Sequence, residues 1–259
     1  MLEVNNVCVS FRSERQEKIF GTARNQVLFD VSLKVSQGTC LGILGESGSG
    51  KSTLGRVICG LLKPDTGEVK IQDVSVYASR NGRKNLQKRL SVVFQDYTTS
   101  ANPRFRVKEI IAEGLAARER NQKIRLNRLE EINRLLELVG LNSSYANRYP
   151  HELSGGQLQR VCIARAVACQ PEIILFDEAI SSLDAHTQIQ IMDLLHDLKE
   201  KLGLTYIFIT HDLTSVTYLC DEVLFLYHGR ITEHIPVSRI AETKDEYAKK
   251  LLASIIEFD

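Results

Sequence analysis

Apolar positions in the first third of the chain fall at strand spacing and predict strands at 2–11, 27–35 and 39–45, with a polar insertion at 12–26. A helix is expected at 51–62, stopped by Pro64 and the turn Pro64-Asp65-Thr66-Gly67. A short buried strand follows at 90–94, and the stretch 104–168 reads as helical. Within it Leu126, Leu129, Ile132, Leu135, Leu136 and Val139 keep a 3.6-residue period that Gly140 ends. Beyond Pro171, strands at 172–176, 205–210 and 222–227 alternate with helices at 185–202 and 213–220. Strand–helix alternation on both sides of a helical block predicts an α/β fold, with a mostly parallel sheet and a helical subdomain inserted at 96–168. Thr243-Lys244-Asp245-Glu246 has the form of a capping box, opening a helix to about Glu257 within a tail at 236–259. No fixed-period repeat, low-complexity tract or Pro/Gly/Ser-rich linker interrupts this order.

Composition narrows the class. The 259 residues are 43% apolar and 25% charged, ordinary for a globular domain with a buried core. Lys plus Arg number 33 against 32 acidic residues, so no general attraction to nucleic acid or an anionic membrane is expected. No stretch without Asp, Glu, Lys or Arg exceeds eleven residues, too short for a bilayer-crossing helix. Met1-Leu2-Glu3-Val4-Asn5-Asn6 has neither the cationic start nor the apolar run of a secretory signal. The six cysteines form no C-x-x-C pair and are read as reduced, mostly buried thiols of a soluble cytosolic protein.

The chemistry begins at Gly45-Glu46-Ser47-Gly48-Ser49-Gly50-Lys51-Ser52, which fits G-x-x-x-x-G-K-[ST] after an apolar strand and before a helix. Glycines let the backbone wrap a phosphate chain, and successive N–H groups make an anion nest at a helix N-terminus. Lys51 should bridge the β- and γ-phosphates and the Ser52 hydroxyl should hold Mg²⁺, with Thr53 beside it. An ordinary Gly/Ser-rich turn does not require all four fixed positions in this context. A nucleoside triphosphate is the expected ligand.

Ile173-Ile174-Leu175-Phe176-Asp177-Glu178 is an apolar run that delivers two carboxylates at a strand's C-terminal end, where such sheets bind ligands. Alone it is a common strand end; beside the phosphate loop it points to Asp177 for the Mg²⁺ shell and Glu178 for the attacking water. Leu153-Ser154-Gly155-Gly156-Gln157 precedes a helix over 158–168, and Ser154-x-x-Gln157 is locally a capping box. Capping does not call for two consecutive glycines, which cost helix propensity.

With this pentapeptide the sequence resembles the ATP-binding subunit of an ATP-binding-cassette (ABC) transporter, over almost its whole length. The resemblance implies one nucleotide-binding domain over 1–259 with a phosphate-loop core, an N-terminal antiparallel β part, and ATP and Mg²⁺ as ligands. It makes Ser154, Gly155, Gly156 and Gln157 a signature that completes a partner cassette's ATP site. Gln95, in Val92-Val93-Phe94-Gln95-Asp96, is similar to the glutamine that joins the Mg²⁺ and water shell. Asp184, in Ser181-Ser182-Leu183-Asp184, resembles the aspartate that crosses the dimer interface, and His211 the switch histidine at the γ-phosphate. An aromatic should stack on adenine, with Phe11 and Phe20 as the two candidates.

Three local features resemble the peptide and nickel import group. They are Ser100-Ala101-Asn102-Pro103-Arg104, the tail Asp245-Glu246-Tyr247-Ala248-Lys249-Lys250-Leu251-Leu252, and Glu178-Ala179-Ile180-Ser181 with alanine where most relatives have proline. The last of these, with Val161-Cys162-Ile163-Ala164-Arg165-Ala166 after the signature and the 259-residue length, is most similar to nickel importers and implies nickel, with di- or oligopeptides as the alternative cargo. The implied partners are two membrane permeases, a sister ATP-binding subunit and an extracytoplasmic substrate-binding protein, with no nucleic acid. The implied location is the cytoplasmic face of a bacterial inner membrane. A DNA-repair cassette would carry a long coiled-coil insertion between Gln95 and Leu153, and none is present. Asn102-Pro103 should form an exposed extended turn, in a region where the family receives a short helix from the membrane subunit.

Overall fold

A computed structural model describes residues 1–12 and 24–256 of the chain. It divides into two compact units, Met1–Leu86 with Phe208–Asp259, and Gln87–Ile207.

In the first unit, β1 (Leu2–Arg12) pairs antiparallel with β2 (Arg24–Val35). The apolar positions of β1 alternate as Leu2 and Val4, then as Val7 and Val9, one residue out of phase. The chain absorbs the slip at Asn6, which adopts φ 50°, where the pairing register shifts between Val4 and Val7. Asp30 in β2 is likewise left-handed at φ 54°, and Asn6 Nδ2 donates to Asp30 Oδ1 at 2.8 Å. This paired irregularity keeps Leu2, Val4, Val7 and Val9 buried. β3 (Cys40–Leu44) is buried at every position, and α1 (Lys51–Ile58) follows it. β4 (Thr66–Ile71) pairs antiparallel with β1, and β5 (Val74–Ser75) pairs with β4. α2 (Arg80–Arg89) carries the chain across the boundary.

The second unit holds β6 (Leu90–Phe94), α3 (Tyr97–Ser100), α4 (Val107–Gln122), α5 (Arg128–Leu138), α6 (Gly155–Ala168), β7 (Ile173–Asp177) and α7 (Ala185–Leu202). α6 packs against α4 and α5 and buries residues on most of its circumference, among them Val161, Ile163, Ala164 and Val167. α5 buries Ile132, Leu135 and Leu136 and leaves Leu129, which fits the same period, 68% exposed. β6 and β7 run parallel, with Phe94 opposite Asp177.

β8 (Thr205–Thr210) returns the chain to the first unit, which closes with α8 (Leu213–Leu219), β9 (Glu222–Tyr227), β10 (Arg230–Pro236) and α9 (Glu246–Ile256). β9 runs parallel to β3 and antiparallel to β10. Val223, Leu224, Phe225 and Leu226 are buried without alternation, as befits a strand covered on both faces.

The structure corrects several boundaries. α1 stops at Ile58 instead of residue 62: Gly60 turns left-handed at φ 73°, and the Leu61 and Leu62 N–H groups fold back onto the Arg56 carbonyl at 2.9 and 3.1 Å. β4, β5, β10 and α2 are elements that the apolar pattern does not predict. The helical stretch 104–168 is three helices separated by turns, including short 3₁₀ segments at Ser143–Asn147 and Pro150–Glu152. Asn102 and Pro103 are exposed in the expected turn, closed by the Phe105 N–H on the Asn102 carbonyl at 3.0 Å. Thr243 does not cap α9. Its hydroxyl donates to Glu233 of β10, and Asp245 Oδ1 accepts from the Ala248 N–H at 2.9 Å in its place. Burial would raise the Glu233 carboxyl, but hydrogen bonds from Thr243, Asp245 and Lys244 prevail and hold it below the ordinary range.

Candidate functional site

In the first unit, β3 ends at Leu44 and the chain runs through residues 45–50 into α1. Gly50 takes φ 104°, a conformation that side-chain-bearing residues rarely adopt, and is the N-cap of α1 without a side-chain cap hydrogen bond. The loop is braced by the Ser49 N–H on the Glu46 carbonyl at 3.2 Å, and by the Gly229 N–H on the Ser49 carbonyl at 2.9 Å. Lys51 is 4% exposed, and its Nζ donates to the Gly45 and Glu46 carbonyls at 2.7 and 2.8 Å. Glu46, Ser47, Gly48 and Ser52 are exposed, and Thr53 is half-buried.

Two observations fit this loop to a phosphate chain. A buried ammonium is held over the loop's own carbonyls, and the Ser49 hydroxyl is buried without a hydrogen-bond partner among the described residues. At the far side of the unit's sequence, His211 is exposed just after β8. Its turn is fixed by its neighbours: the Asp212 N–H donates to Thr210 Oγ1, and Asp212 caps α8 through the Thr214 and Ser215 N–H groups, each at 3.0 Å. Phe11 is 40% exposed near the end of β1, and Phe20 lies outside the described residues.

In the second unit, strand register does the assembling. Because Phe94 pairs with Asp177, the next residues of the two strands, Gln95 and Glu178, emerge side by side, and Gln95 Nε2 donates to Glu178 Oε2 at 3.2 Å. Glu178 sits at φ 48°, a costly conformation for a residue with a side chain. The Ser181 hydroxyl and N–H secure it by donating to the Glu178 carbonyl at 2.9 and 3.2 Å, and Ala179 and Ile180 are buried beneath the turn.

The signature forms a complete capping box. The Gln157 N–H donates to Ser154 Oγ at 3.3 Å, and the Ser154 N–H donates to Gln157 Oε1 at 3.0 Å. Asp184 caps α7, accepting from the Thr187 N–H at 3.0 Å and the Thr187 hydroxyl at 2.7 Å, which keeps its carboxyl below the ordinary range. These two helix starts share a cleft lined by Ser154, Gly156, Gln157, Arg160, Thr187 and Gln190. A Cβ at Gly156 would lie 2.5 Å from Thr187 Cγ2, so the second glycine of the signature is needed for that approach. Thr187 and Tyr145, whose hydroxyl accepts from Gln157 Nε2 at 3.1 Å, carry no motif and are visible only in three dimensions.

A phosphate loop, a strand-end carboxylate pair and a serine–glycine helix start, on an α/β scaffold, define a nucleotide-hydrolysing cassette. The chain belongs to the ABC transporter family, whose model matches residues 28–181. It is 42% identical over 258 residues, 100% of both chains, to the metal-staphylopine import system ATP-binding protein CntF of Staphylococcus aureus. It is 43% identical over 229 residues to the oligopeptide transport ATP-binding protein OppF of Bacillus subtilis, covering 87% of this chain and 75% of that one. A dimeric post-hydrolysis structure of the ATP-binding cassette MJ0796 bound to ADP and Pi superposes with a TM-score of 0.79 at 30% identity, over 92% of this chain and 99% of that one. CbiO1 of Clostridium perfringens, part of the ABC transporter complex cbiONQ, gives 0.78 at 25% identity, over 99% and 94%. The fold is thus that of an ABC ATPase, which binds ATP with Mg²⁺ and hydrolyses it. Among the described residues no helix is long and apolar enough to cross a membrane.

Proposed function

We propose that the chain is the ATP-hydrolysing subunit of an importer for a transition metal, with nickel as the favoured cargo, taken up as an ion or as a complex. Full-length similarity to a metal-staphylopine import system ATP-binding protein, at 42% identity, carries this reading, because that alignment runs through the tail at 236–259. Ala179 and the Val161–Ala166 stretch after the signature point the same way, while Asn102-Pro103-Arg104 and the tail fit either cargo. Similarity to an oligopeptide transport protein supports the second reading, peptide cargo.

In this reading Lys51 neutralises the β- and γ-phosphates, and Ser52 and Asp177 serve the Mg²⁺. Glu178 accepts a proton from, or orients, the attacking water, with Gln95 hydrogen-bonded to its carboxylate. His211 senses the γ-phosphate and Phe11 offers a stacking face for adenine. Ser154, Gly155, Gly156, Gln157 and Asp184 act across a dimer with a sister ATP-binding subunit. Two permeases anchor that dimer to the cytoplasmic face of the inner membrane, and an extracytoplasmic binding protein selects the cargo. The single nucleotide-binding domain spans 1–259, with its helical subdomain at 96–168.

The test is uptake by cells whose only copy of this subunit is wild type or Glu178→Gln. Radioactive nickel accumulation that disappears with Glu178→Gln, with labelled tripeptide uptake unchanged, supports the metal reading. Loss of tripeptide uptake with nickel unaffected establishes the peptide reading.

A further inference from the structure

The C-terminal helix reaches the phosphate loop within the first unit. The Glu46 N–H donates to the Tyr247 hydroxyl oxygen at 2.8 Å. The Tyr247 ring stacks on Tyr227, with centroids 4.3 Å apart and planes 24° from parallel. Tyr247 itself is buried, beside an open cleft that Glu46, Tyr227, Asp245 and Lys250 also line.

The peptide unit joining Gly45 to Glu46 is planar, so fixing both its ends fixes its orientation. Its carbonyl accepts from Lys51 Nζ at 2.7 Å and its N–H is held by Tyr247. The two grips differ in what ATP does to them. In the proposed reading Lys51 turns toward phosphate when nucleotide arrives, whereas Tyr247 keeps its hold on the Glu46 N–H. Tyr247 is also delivered by an anchored element. Asp245 caps the start of α9 through the Ala248 N–H at 2.9 Å, and the Glu233 carboxylate of β10 takes the Thr243 hydroxyl and the Lys244 and Asp245 N–H groups.

We propose that Tyr247 is a positioning residue for the nucleotide: its hydroxyl holds the Gly45–Glu46 peptide in the binding shape of the phosphate loop while Lys51 exchanges the Gly45 carbonyl for phosphate. The inference rests on reading residues 45–52 as the phosphate site. It makes the C-terminal tail a working part of the nucleotide site, although 201 residues separate Tyr247 from Glu46. Preorganising a loop raises affinity by lowering the ordering cost of binding.

The experiment compares the full-length wild-type chain with Tyr247→Phe, which keeps the ring and its stack and removes only the hydroxyl. MgATP affinity and hydrogen exchange at the Glu46 amide are measured. Losing one such hydrogen bond should weaken MgATP binding about three- to tenfold. Exchange at the Glu46 amide should accelerate, and Lys249→Ala, on an exposed position of the same helix, should match wild type. Unchanged affinity in Tyr247→Phe, or an equal loss in Lys249→Ala, overturns the inference. Affinity lost without faster exchange at Glu46 overturns it too, since the loss then has another origin. Lys51→Ala separates the two readings: if that variant binds MgATP like wild type, the phosphate-loop assignment itself fails.

Discussion

Helices α1 and α6 both start on a glycine-rich turn, one in each unit, and they complete their first turns in opposite ways. α1 is N-capped by Gly50 with no side-chain hydrogen bond, while α6 is closed by the reciprocal Ser154–Gln157 box. The first four N–H groups of any helix lack partners within it. At α1 no side chain caps the helix start, and the positive end of the helix dipole favours an anion there. At α6 the N–H groups of Ser154 and Gln157 are already engaged by the box, so a phosphate arriving there competes with an internal cap for those two donors. Similar residues at a helix start therefore give an end with no side-chain cap in one place, and an end partly closed by its own side chains in the other.

If α1 only holds the nucleotide, hydrolysis has to depend on the carboxylates that end β7. The largest expected effect follows. Glu178→Gln preserves the hydrogen-bonding shape beside Gln95 and removes the anionic base, which should cost about 10²–10⁴-fold in ATPase rate. MgATP affinity should stay near wild type, so single-turnover hydrolysis and equilibrium binding must be measured on the same preparation. Hydrolysis at the wild-type rate would remove Glu178 from the chemistry and turn attention to His211.

Lys51→Ala should act in the reverse sense, on binding. A charge-assisted hydrogen bond is worth about 1.5–3 kcal/mol, so MgATP affinity should fall about 10- to 100-fold. The ammonium is buried over the Gly45 and Glu46 carbonyls. Its removal also leaves those acceptors to find water, and a modest fall in the thermal midpoint should accompany the loss. Titration of a fluorescent ATP analogue and a melting curve separate the two contributions.

The parts of this molecule that can be read from sequence are those whose cause is local. The phosphate loop, the β7 carboxylates and the signature are runs of neighbouring residues, and buried strands such as β9 announce themselves through unbroken apolar runs. α2 escapes because only Gly82 and Leu86 of its ten residues are buried, so no apolar period exists to detect. β10 escapes because it pairs with β9 while carrying Arg230, Glu233 and His234 among its seven residues. Thr243 misleads for the opposite reason. Its local spacing satisfies a capping box, but Glu233 reaches across from β10 and takes the hydroxyl. The pairing of Gln95 with Glu178 and the contact of Tyr247 with Glu46 depend on strand register and on a distant helix. Their residue types are visible in the sequence, and their meeting is not.

The smallest expected effect tests the α6 side of the comparison. Ser154→Ala deletes the hydroxyl that accepts the Gln157 N–H and should destabilise the chain by about 0.5–2 kcal/mol, the usual value of an N-cap. Ser154→Gly should recover most of that, because glycine at an N-cap costs only a few tenths of a kcal/mol. For a chain of this size each kcal/mol moves the thermal midpoint by about 2–4 °C, so the two variants are distinguishable by melting alone. Neither should change MgATP affinity of the isolated chain, because its own phosphate loop belongs to α1. A tenfold affinity loss in Ser154→Gly with an unshifted midpoint would mean that the α6 start already serves nucleotide within one chain, and the contrast between the two helix ends would collapse. An ATPase defect of Ser154→Gly that emerges only in the assembled transporter would sharpen it, because the hydroxyl, which accepts the Gln157 N–H and keeps its own proton to donate, would then be acting on a partner's phosphate.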